Sequence, residues 1–242
     1  MPETSILQSA QQTTNRARLA PAKLLQFGLF LVVWLSTLFI AAGTLHWKRG
    51  WLFVAVYAVS MTAIGLAVEH WNPGLMVART NRRHKDTKQF DKVFLRLHCA
   101  LTGLLPALAG LDAVRFRWSS MPEWTAPVSV GLFLLASILI AWTLAVNPWA
   151  EFSVRIQTDR GHHVVSSGPY RYVRHPMYVG SLVMYPAMAG MLGSMWALAL
   201  TGITVVLFVW RTSREDATLR EELPGYREYA AETHYRLVPG LW

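Results

Sequence analysis

Long uncharged runs dominate the chain and predict membrane-spanning helices. The clear runs cover residues 24–45, 51–68, 127–149 and 177–210, and a weaker run at 93–114 is interrupted by Arg96, His98 and Asp112. Segments of 18 or more apolar residues are long enough to cross a bilayer. The first run follows a polar, Gln-rich leader, which indicates an uncleaved helix and not a signal peptide. The pattern predicts an all-α polytopic membrane bundle with about five membrane segments.

The last uncharged run is too long for one membrane helix. Its 34 residues would form a helix of about 51 Å, whereas the hydrocarbon core is about 30 Å thick. We therefore expect two helices, broken near Gly193-Ser194 into a tight hairpin. A single kinked helix that projects from the membrane is the alternative.

The composition agrees with a membrane protein, and the distribution of its basic residues indicates its orientation. Of the 242 residues, 53% are hydrophobic and 15% are charged, as in polytopic membrane proteins. The net charge is +9, and 18 of the 23 Lys and Arg residues fall on one side of the predicted helices. The positive-inside rule then places both termini and residues 168–178 in the cytoplasm, in the inner membrane if the source is bacterial. This topology accounts for the basicity, so no nucleic-acid partner is predicted.

The chain reads as one domain, residues 1–242, because it has neither an internal repeat nor a low-complexity linker. Residues 1–150 hold the N-terminal membrane helices, and residues 151–242 hold the hairpin and a long polar tail. Leu219, Leu223, Tyr226 and Tyr229 fall near helical spacing, which predicts an amphipathic cytoplasmic helix in the tail. Pro224-Gly225 must interrupt that helix.

A dense polar cluster, GPYRYVRHPMY at residues 168–178, precedes the hairpin. Polar residues at a membrane segment are costly unless they bind something. A helix that starts at Pro176 directs free N–H groups and its positive dipole end toward an anion. Arg174 could neutralise the same anion, and the tyrosines could offer ring faces to a cation or a heterocycle. Taken singly, each tyrosine could also be an interfacial anchor.

Arg211 and Glu215 lie four residues apart at the far end of the hairpin. They could satisfy each other as an ion pair on one helix face. Alternatively, Arg211 holds an acceptor's anionic group while Glu215, with Asp216, receives an ammonium. Anion, cation and aromatic recognition together match S-adenosylmethionine. No GxGxxG follows a strand, so a Rossmann-type enzyme is excluded. The single cysteine and the absence of HExxH leave no predicted metal site.

The C-terminal third resembles the isoprenylcysteine carboxyl methyltransferase family. The resemblance rests on HHVVSSGPYRYVRHPMYVG, then RTSREDATL, then Tyr226, Tyr229, Arg236 and Pro239. It is strong over residues 157–242. Before that, it rests on hydropathy and on the Asn72-Pro73 and Asp91-Lys92 region, which is similar to the bacterial branch. Phospholipid N-methyltransferases are more distant relatives.

The resemblance implies S-adenosylmethionine bound between the last helices and the cytoplasmic C-terminal segment. Arg211 falls on a position that faces the methyl acceptor, and Glu215 is implied to be catalytic with it. The second acid of the motif, usually Glu, is Asp216 here. The implied cofactor contacts are Gln157, His162, Tyr170, His175, Tyr178 and Glu215.

The implied reaction is methyl transfer to a lipophilic acceptor that enters from the bilayer. A carboxylate acceptor needs no general base, so alignment and a dry site suffice. An amine or thiol acceptor would need one, and His162 or His175 would be candidates. An NADPH-dependent reductase related to sterol reductases and a non-enzymatic membrane assembly component remain alternatives. The acceptor and the oligomeric state stay open.

Overall fold

Helices account for most of the part of the chain that the computed structural model describes, residues 21–80 and 86–242. No strand occurs within these residues, so the predicted all-α fold class is confirmed. Two short 3-10 turns, Thr158–Arg160 and Gly168–Arg171, lie between Val146 and Pro176. The α-helices are α1 (Pro21–Ala42), α2 (Lys48–Trp71), α3 (Pro73–Thr80), α4 (Gln89–Gly110, continued by a π-helical turn at Leu111–Phe116), α5 (Thr125–Val146), α6 (Pro176–Leu192), α7 (Met195–Glu222) and α8 (Tyr226–Glu232).

The bundle is that of a polytopic membrane protein. Among the described residues, α2, α4 with its π-helical continuation, α5 and α7 are long and apolar enough to cross a membrane. A shorter apolar stretch, Gly28–Ala42, lies in α1, and α6 has 17 residues. The polar leader, residues 1–20, lies outside the described residues. The spans predicted from hydropathy therefore correspond to α1, α2, α4, α5 and the α6–α7 hairpin.

The hairpin breaks where the length argument places it, and the single kinked helix is wrong. α6 ends at Leu192, and Gly193 adopts φ +77°, which lets the chain reverse. A non-glycine residue rarely adopts this conformation. The Ser194 hydroxyl then accepts a hydrogen bond from the Ala197 N–H at 2.9 Å, which caps α7.

The inner helix of the hairpin is the centre of the bundle. Met188, Ala189 and Met191 of α6 are buried in the main hydrophobic core. α6 packs most extensively against α5, and α7 packs against α4 and α6. A Cβ atom at Gly190 would lie 2.1 Å from Ser129 Oγ, so a glycine is needed for this close approach of α6 to α5.

The tail continues α7 before it turns back. The 28 residues of α7 give a helix of about 42 Å, longer than the hydrocarbon core of about 30 Å, so one end must stand outside the core. Leu219 packs with Leu223, Tyr226 and Tyr229 in one apolar cluster. The predicted amphipathic tail and its break before Tyr226 are thus confirmed.

Candidate active site

A polar cavity lies at the end of the bundle where α5 ends and α6 begins. Its wall consists of residues between 147 and 175 on one side and of residues from α6, α7 and α8 with Leu223 on the other. Its empty space, including the open mouth, is about 800 Å³. Small-molecule sites are concave spaces lined by apolar and aromatic side chains with a few converging polar groups, and this lining has both kinds. The cavity is therefore the candidate site.

The seven residues that the family resemblance implies for the site all line this one cavity. The hairpin supplies three of them and the polar segment before it supplies the rest. The structure thus brings together side chains that are far apart in the sequence. Their roles in binding remain predictions. The seven residues are Gln157, His162, Tyr170, His175, Tyr178, Arg211 and Glu215.

Glu215 presents a carboxylate to the cavity. The hydroxyl of Tyr178, in the first turn of α6, donates a hydrogen bond to Glu215 Oε2. Glu215 Oε2 also lies 4.0 Å from Arg211 Nε, one turn earlier on α7. The Glu215 side chain is 20% exposed, so its charge remains accessible to a ligand in the cavity.

Arg211 has a closer partner than Glu215, and the motif did not reveal it. Its Nε lies 3.0 Å from Oδ1 of Asp91, a fully buried residue in the first turn of α4. The other oxygen, Asp91 Oδ2, accepts from the Val154 N–H at 2.7 Å. The Arg211 guanidinium also lies over the Phe94 ring, 4.2 Å from its centroid. Asp91 therefore balances the Arg211 charge and fixes its position.

Asp216 does not receive a ligand ammonium, which corrects the pairing expected of the two acids. It is fully buried and does not line the cavity. Arg174 Nε donates to it at 2.7 Å, and Arg236 Nε at 3.0 Å. The Tyr226 hydroxyl donates to it at 3.0 Å. Because α-helical neighbours point about 100° apart, Glu215 faces the cavity while Asp216 faces the tail.

Arg174 is likewise committed to the protein, so its expected role as a partner for a ligand anion is wrong. Besides Asp216, its guanidinium donates to the carbonyl groups of Thr233 and His234 at 2.7 Å each. The neighbouring His175 N–H donates to the Arg236 carbonyl at 3.0 Å. The start of α6 is therefore bound to the C-terminal segment.

The connecting segment holds His162 as a neutral imidazole. Burial lowers the pKa of His162 from 6.5 to about 4, with a smaller contribution from His163. The Gln157 N–H points at His162 Nδ1 from 3.4 Å, which favours the tautomer protonated at Nε2. Gln157 Nε2 donates to the Trp149 carbonyl at 2.7 Å, so the segment is bound to itself.

The tyrosines of the cavity are neutral hydrogen-bonding groups. Burial raises the pKa of Tyr229 to about 12 and raises that of Tyr170 above its ordinary value. The Tyr170 hydroxyl accepts from Asn147 Nδ2 at 2.6 Å. The Tyr229 hydroxyl donates to the Tyr170 carbonyl at 2.7 Å. Neither phenol is therefore suited to act as a base at neutral pH.

Four buried polar atoms in the cavity wall have no hydrogen-bond partner within the described residues: Trp149 Nε1, Ser153 Oγ, His175 Nε2 and Arg211 Nε. His175 Nε2 lies 3.5 Å from Asp216 Oδ1 and Arg211 Nε lies 3.0 Å from Asp91 Oδ1, so both face a carboxylate of the protein. Buried polar groups are nearly always paired, so Trp149 Nε1 and Ser153 Oγ are the two left for a ligand. The sequence patterns did not identify Trp149 or Ser153. Across residues 21–80 and 86–242, no three His, Cys, Asp or Glu side chains gather as metal ligands.

The fold and the site together define a membrane protein with a small-molecule cavity between its last helices. Residues 129–221 match the model of the isoprenylcysteine carboxyl methyltransferase (ICMT) family. This range runs from α5 through most of α7 and contains all seven predicted site residues. The part of the chain that builds the cavity is therefore similar to this family, as the sequence motifs predicted.

The chain is also similar to a bacterial protein, the cobalt-zinc-cadmium resistance protein CzcN of Cupriavidus metallidurans. The two sequences are 28% identical over 127 residues. The match covers 52% of this chain and 56% of CzcN, so it spans little more than half of that relative.

Proposed function

We propose that this protein is an S-adenosylmethionine-dependent methyltransferase that acts on a lipophilic acceptor, with a carboxylate as the first candidate. The observation that carries the proposal is the chemistry of the cavity. The cavity brings together an accessible carboxylate, a helix N-terminus, aromatic rings and unpaired buried donors. Apart from residues 147–150, its lining lies within residues 151–242, which supports assigning this part as the catalytic core.

The donor set fits the cofactor. Glu215 would hold the ammonium through a charge-assisted hydrogen bond. The first turn of α6 after Pro176 would hold the carboxylate, because Met177 lies at a helix N-terminus and lines the cavity. Trp149 and Tyr170 would bracket the adenine. When bound, S-adenosylmethionine supplies an electrophilic methyl group.

Arg211 would orient the acceptor. Its Nε faces Asp91, its Nη2 donates to the Phe152 carbonyl at 2.9 Å, and its Nη1 has no partner among the described residues. Nη1 would donate to an acceptor carboxylate. Phe94 and Tyr178 cover the guanidinium, which would keep water away from the acceptor.

The pKa of His162 bears on amine and thiol acceptors, which need a base. A catalytic base works best with a pKa near the operating pH, whereas the pKa of His162 is about 4. His162 is therefore a poor base at neutral pH, which removes one of the two candidate bases for such acceptors.

The membrane helices around Arg211 suggest how the acceptor enters. Phe94 of α4 packs against Phe208 of α7, and both extend from Arg211 into the apolar helices. Because both rings are buried, a lipid tail would have to displace them between α4 and α7 to reach Arg211, while the cofactor enters from the aqueous side. The excess of Lys and Arg on one side of the helices supports a cytoplasmic cavity and cytoplasmic termini.

The first test is calorimetric titration of S-adenosylhomocysteine into the detergent-purified protein. We expect binding, and we expect Glu215→Gln to weaken it about 10-fold to 100-fold, since a hydrogen bond to a charged group is lost. Glu221→Gln, an exposed change on the same helix, should bind like the wild type.

A folded, monodisperse wild type that does not bind would overturn the proposal. Thermal stabilisation by NADPH would then favour the reductase. No stabilisation by either compound would favour a non-enzymatic membrane component.

A further inference from the structure

A second polar cleft lies on the far side of Asp216 from the cavity. We name it the arginine cleft. It offers about 590 Å³ of empty space, including the part open to solvent. It shares only Arg174 with the lining of the cavity, so it is a separate place on the molecule. Its residues are Arg174, Arg220, His234, Tyr235, Arg236, Gly240, Leu241 and Trp242.

Positive charge exceeds negative charge in the arginine cleft. Asp216 is shared by Arg174 at 2.7 Å, Arg220 at 3.1 Å and Arg236 at 3.0 Å. One carboxylate cannot neutralise three guanidinium groups. The Trp242 backbone oxygen accepts from the N–H of Arg236 at 3.0 Å, as well as from the next two N–H groups. Even if a carboxyl group at Trp242 is counted, one positive charge remains in excess.

Two of the arginines keep donors for a ligand. Arg220 and Arg236 each use Nε for Asp216, and their terminal nitrogens have no partner among the described residues. Their side chains are 43% and 29% exposed. Arg174, by contrast, is 2% exposed and uses its remaining nitrogens on the protein. The Arg236 guanidinium also lies over the Trp242 ring at 5.0 Å, which holds it in place.

We propose that the arginine cleft binds a phosphate group through Arg220 and Arg236. The fork of a guanidinium matches phosphate oxygens in two parallel hydrogen bonds. The phosphate belongs either to a small solute or to an anionic lipid headgroup. Both sources are plausible chemically, because the cleft lies at the end of α7 that carries the polar tail, near the membrane surface. This inference does not depend on the proposed methyl transfer.

The test compares inorganic phosphate with chloride at equal ionic strength in thermal unfolding of the detergent-purified protein. At about tenfold above the dissociation constant we expect the wild-type Tm to rise by about 3–6 °C. Arg220→Gln and Arg236→Gln should each lose most of that rise. Arg214→Gln is the matched control, because Arg214 is an exposed arginine of α7 outside the cleft, and it should keep the rise.

A wild type that phosphate does not stabilise, or equal stabilisation of all variants, would overturn the inference. If the glutamine variants fail to fold, Arg236→Lys keeps a cation for Asp216 and loses the fork. It should bind phosphate several-fold more weakly in calorimetry, and unchanged binding would contradict the proposal.

A second experiment distinguishes an anionic lipid headgroup from a soluble phosphate compound. The wild type and Arg236→Gln are reconstituted in phosphatidylcholine vesicles with and without phosphatidylglycerol. A Tm gain from phosphatidylglycerol that is confined to the wild type assigns a lipid headgroup. A phosphate gain in detergent without this lipid effect assigns a soluble phosphate. S-adenosylhomocysteine binding in the same samples reports on the cavity independently.

Discussion

The two ends of the α6–α7 hairpin are both polar, yet they use their polar groups differently. At the turn, Asp112 Oδ2 accepts from the hydroxyls of Ser119 at 2.7 Å and Ser194 at 2.5 Å. Arg49 donates to the Pro122 carbonyl at 2.7 Å. These contacts join helix ends and loops to one another, so the polar side chains of the turn serve mainly to close the fold.

At the other end, similar side chains surround a space. Glu215 faces the cavity, and Ser153 and Trp149 keep buried polar atoms without protein partners. Asp216, the next residue, resembles the polar residues of the turn because arginine side chains of the protein already pair with it. The difference shows that burial and charge do not identify a site by themselves. The useful sign is a set of unpaired polar groups around one open space, because the turn also holds an unpaired atom, Asp112 Oδ1, that lines neither described cavity.

The largest effect on stability should come from Asp216→Asn. It leaves three arginines without their carboxylate, and breaking such a buried pair costs about 3–5 kcal/mol. Chemical unfolding in detergent measures this cost. Asp159→Asn removes an acid whose side chain is 61% exposed, and it should cost much less, because solvent screens an exposed ion pair. Equal costs for the two variants would contradict the role of Asp216.

Arg211→Ala should abolish turnover at the cavity while the protein stays membrane-inserted. If the proposed function holds, labelled methyl incorporation into extractable lipid falls at least about 100-fold, because an orienting donor to the acceptor is lost. Exposed Arg214→Ala is the control and should stay active. Arg211→Lys keeps a cation beside Asp91 and checks that loss of fold is not the cause. Full activity of Arg211→Ala would refute the assignment.

At the turn, Ser194→Ala should lower stability by about 1–2 kcal/mol, since it removes a helix cap and a hydrogen bond to Asp112. S-adenosylhomocysteine affinity should not change, because Ser194 lies at the opposite end of α6. Unfolding and calorimetry on one preparation test both statements. A large loss of affinity would show that the two ends are coupled.

A further expectation concerns the pH dependence of stability that comes from His162. Because its pKa falls from 6.5 to about 4 on folding, the unfolded chain binds more protons between these values. Stability from this group is therefore complete above about pH 6.5 and declines as the pH falls toward 4. The Tm of His162→Gln should decline less over this range than the wild-type Tm. Parallel curves would contradict a buried neutral imidazole.

The membrane helices could be predicted because the bilayer imposes a length. The run at 177–210 exceeded that length, and Gly193-Ser194 offered the obvious break, which the structure has. The residues of the site could be collected from motifs, and the structure places them around one cavity. Which side chains these residues contact could not be predicted in the same way.

Asp91 and Arg211 illustrate that limit. They are 120 residues apart in the sequence, and only the packing of α4 against α7 brings them to 3.0 Å. Glu215 and Asp216 are adjacent acids, and which of them faces the cavity depends on where the tail packs. Trp149 belongs to no motif, and its indole N–H became informative only once its neighbours were known.

The contacts between the start of α6 and the C-terminal segment have a consequence for biosynthesis. Arg174 N donates to the Tyr235 carbonyl and His175 N to the Arg236 carbonyl. During translation, the membrane helices emerge and insert before these late residues leave the ribosome. The wall around His175 cannot reach its final form until residues near 236 have folded back. A nascent chain stalled shortly after α7 should therefore be inserted in the membrane but unable to assemble the cavity.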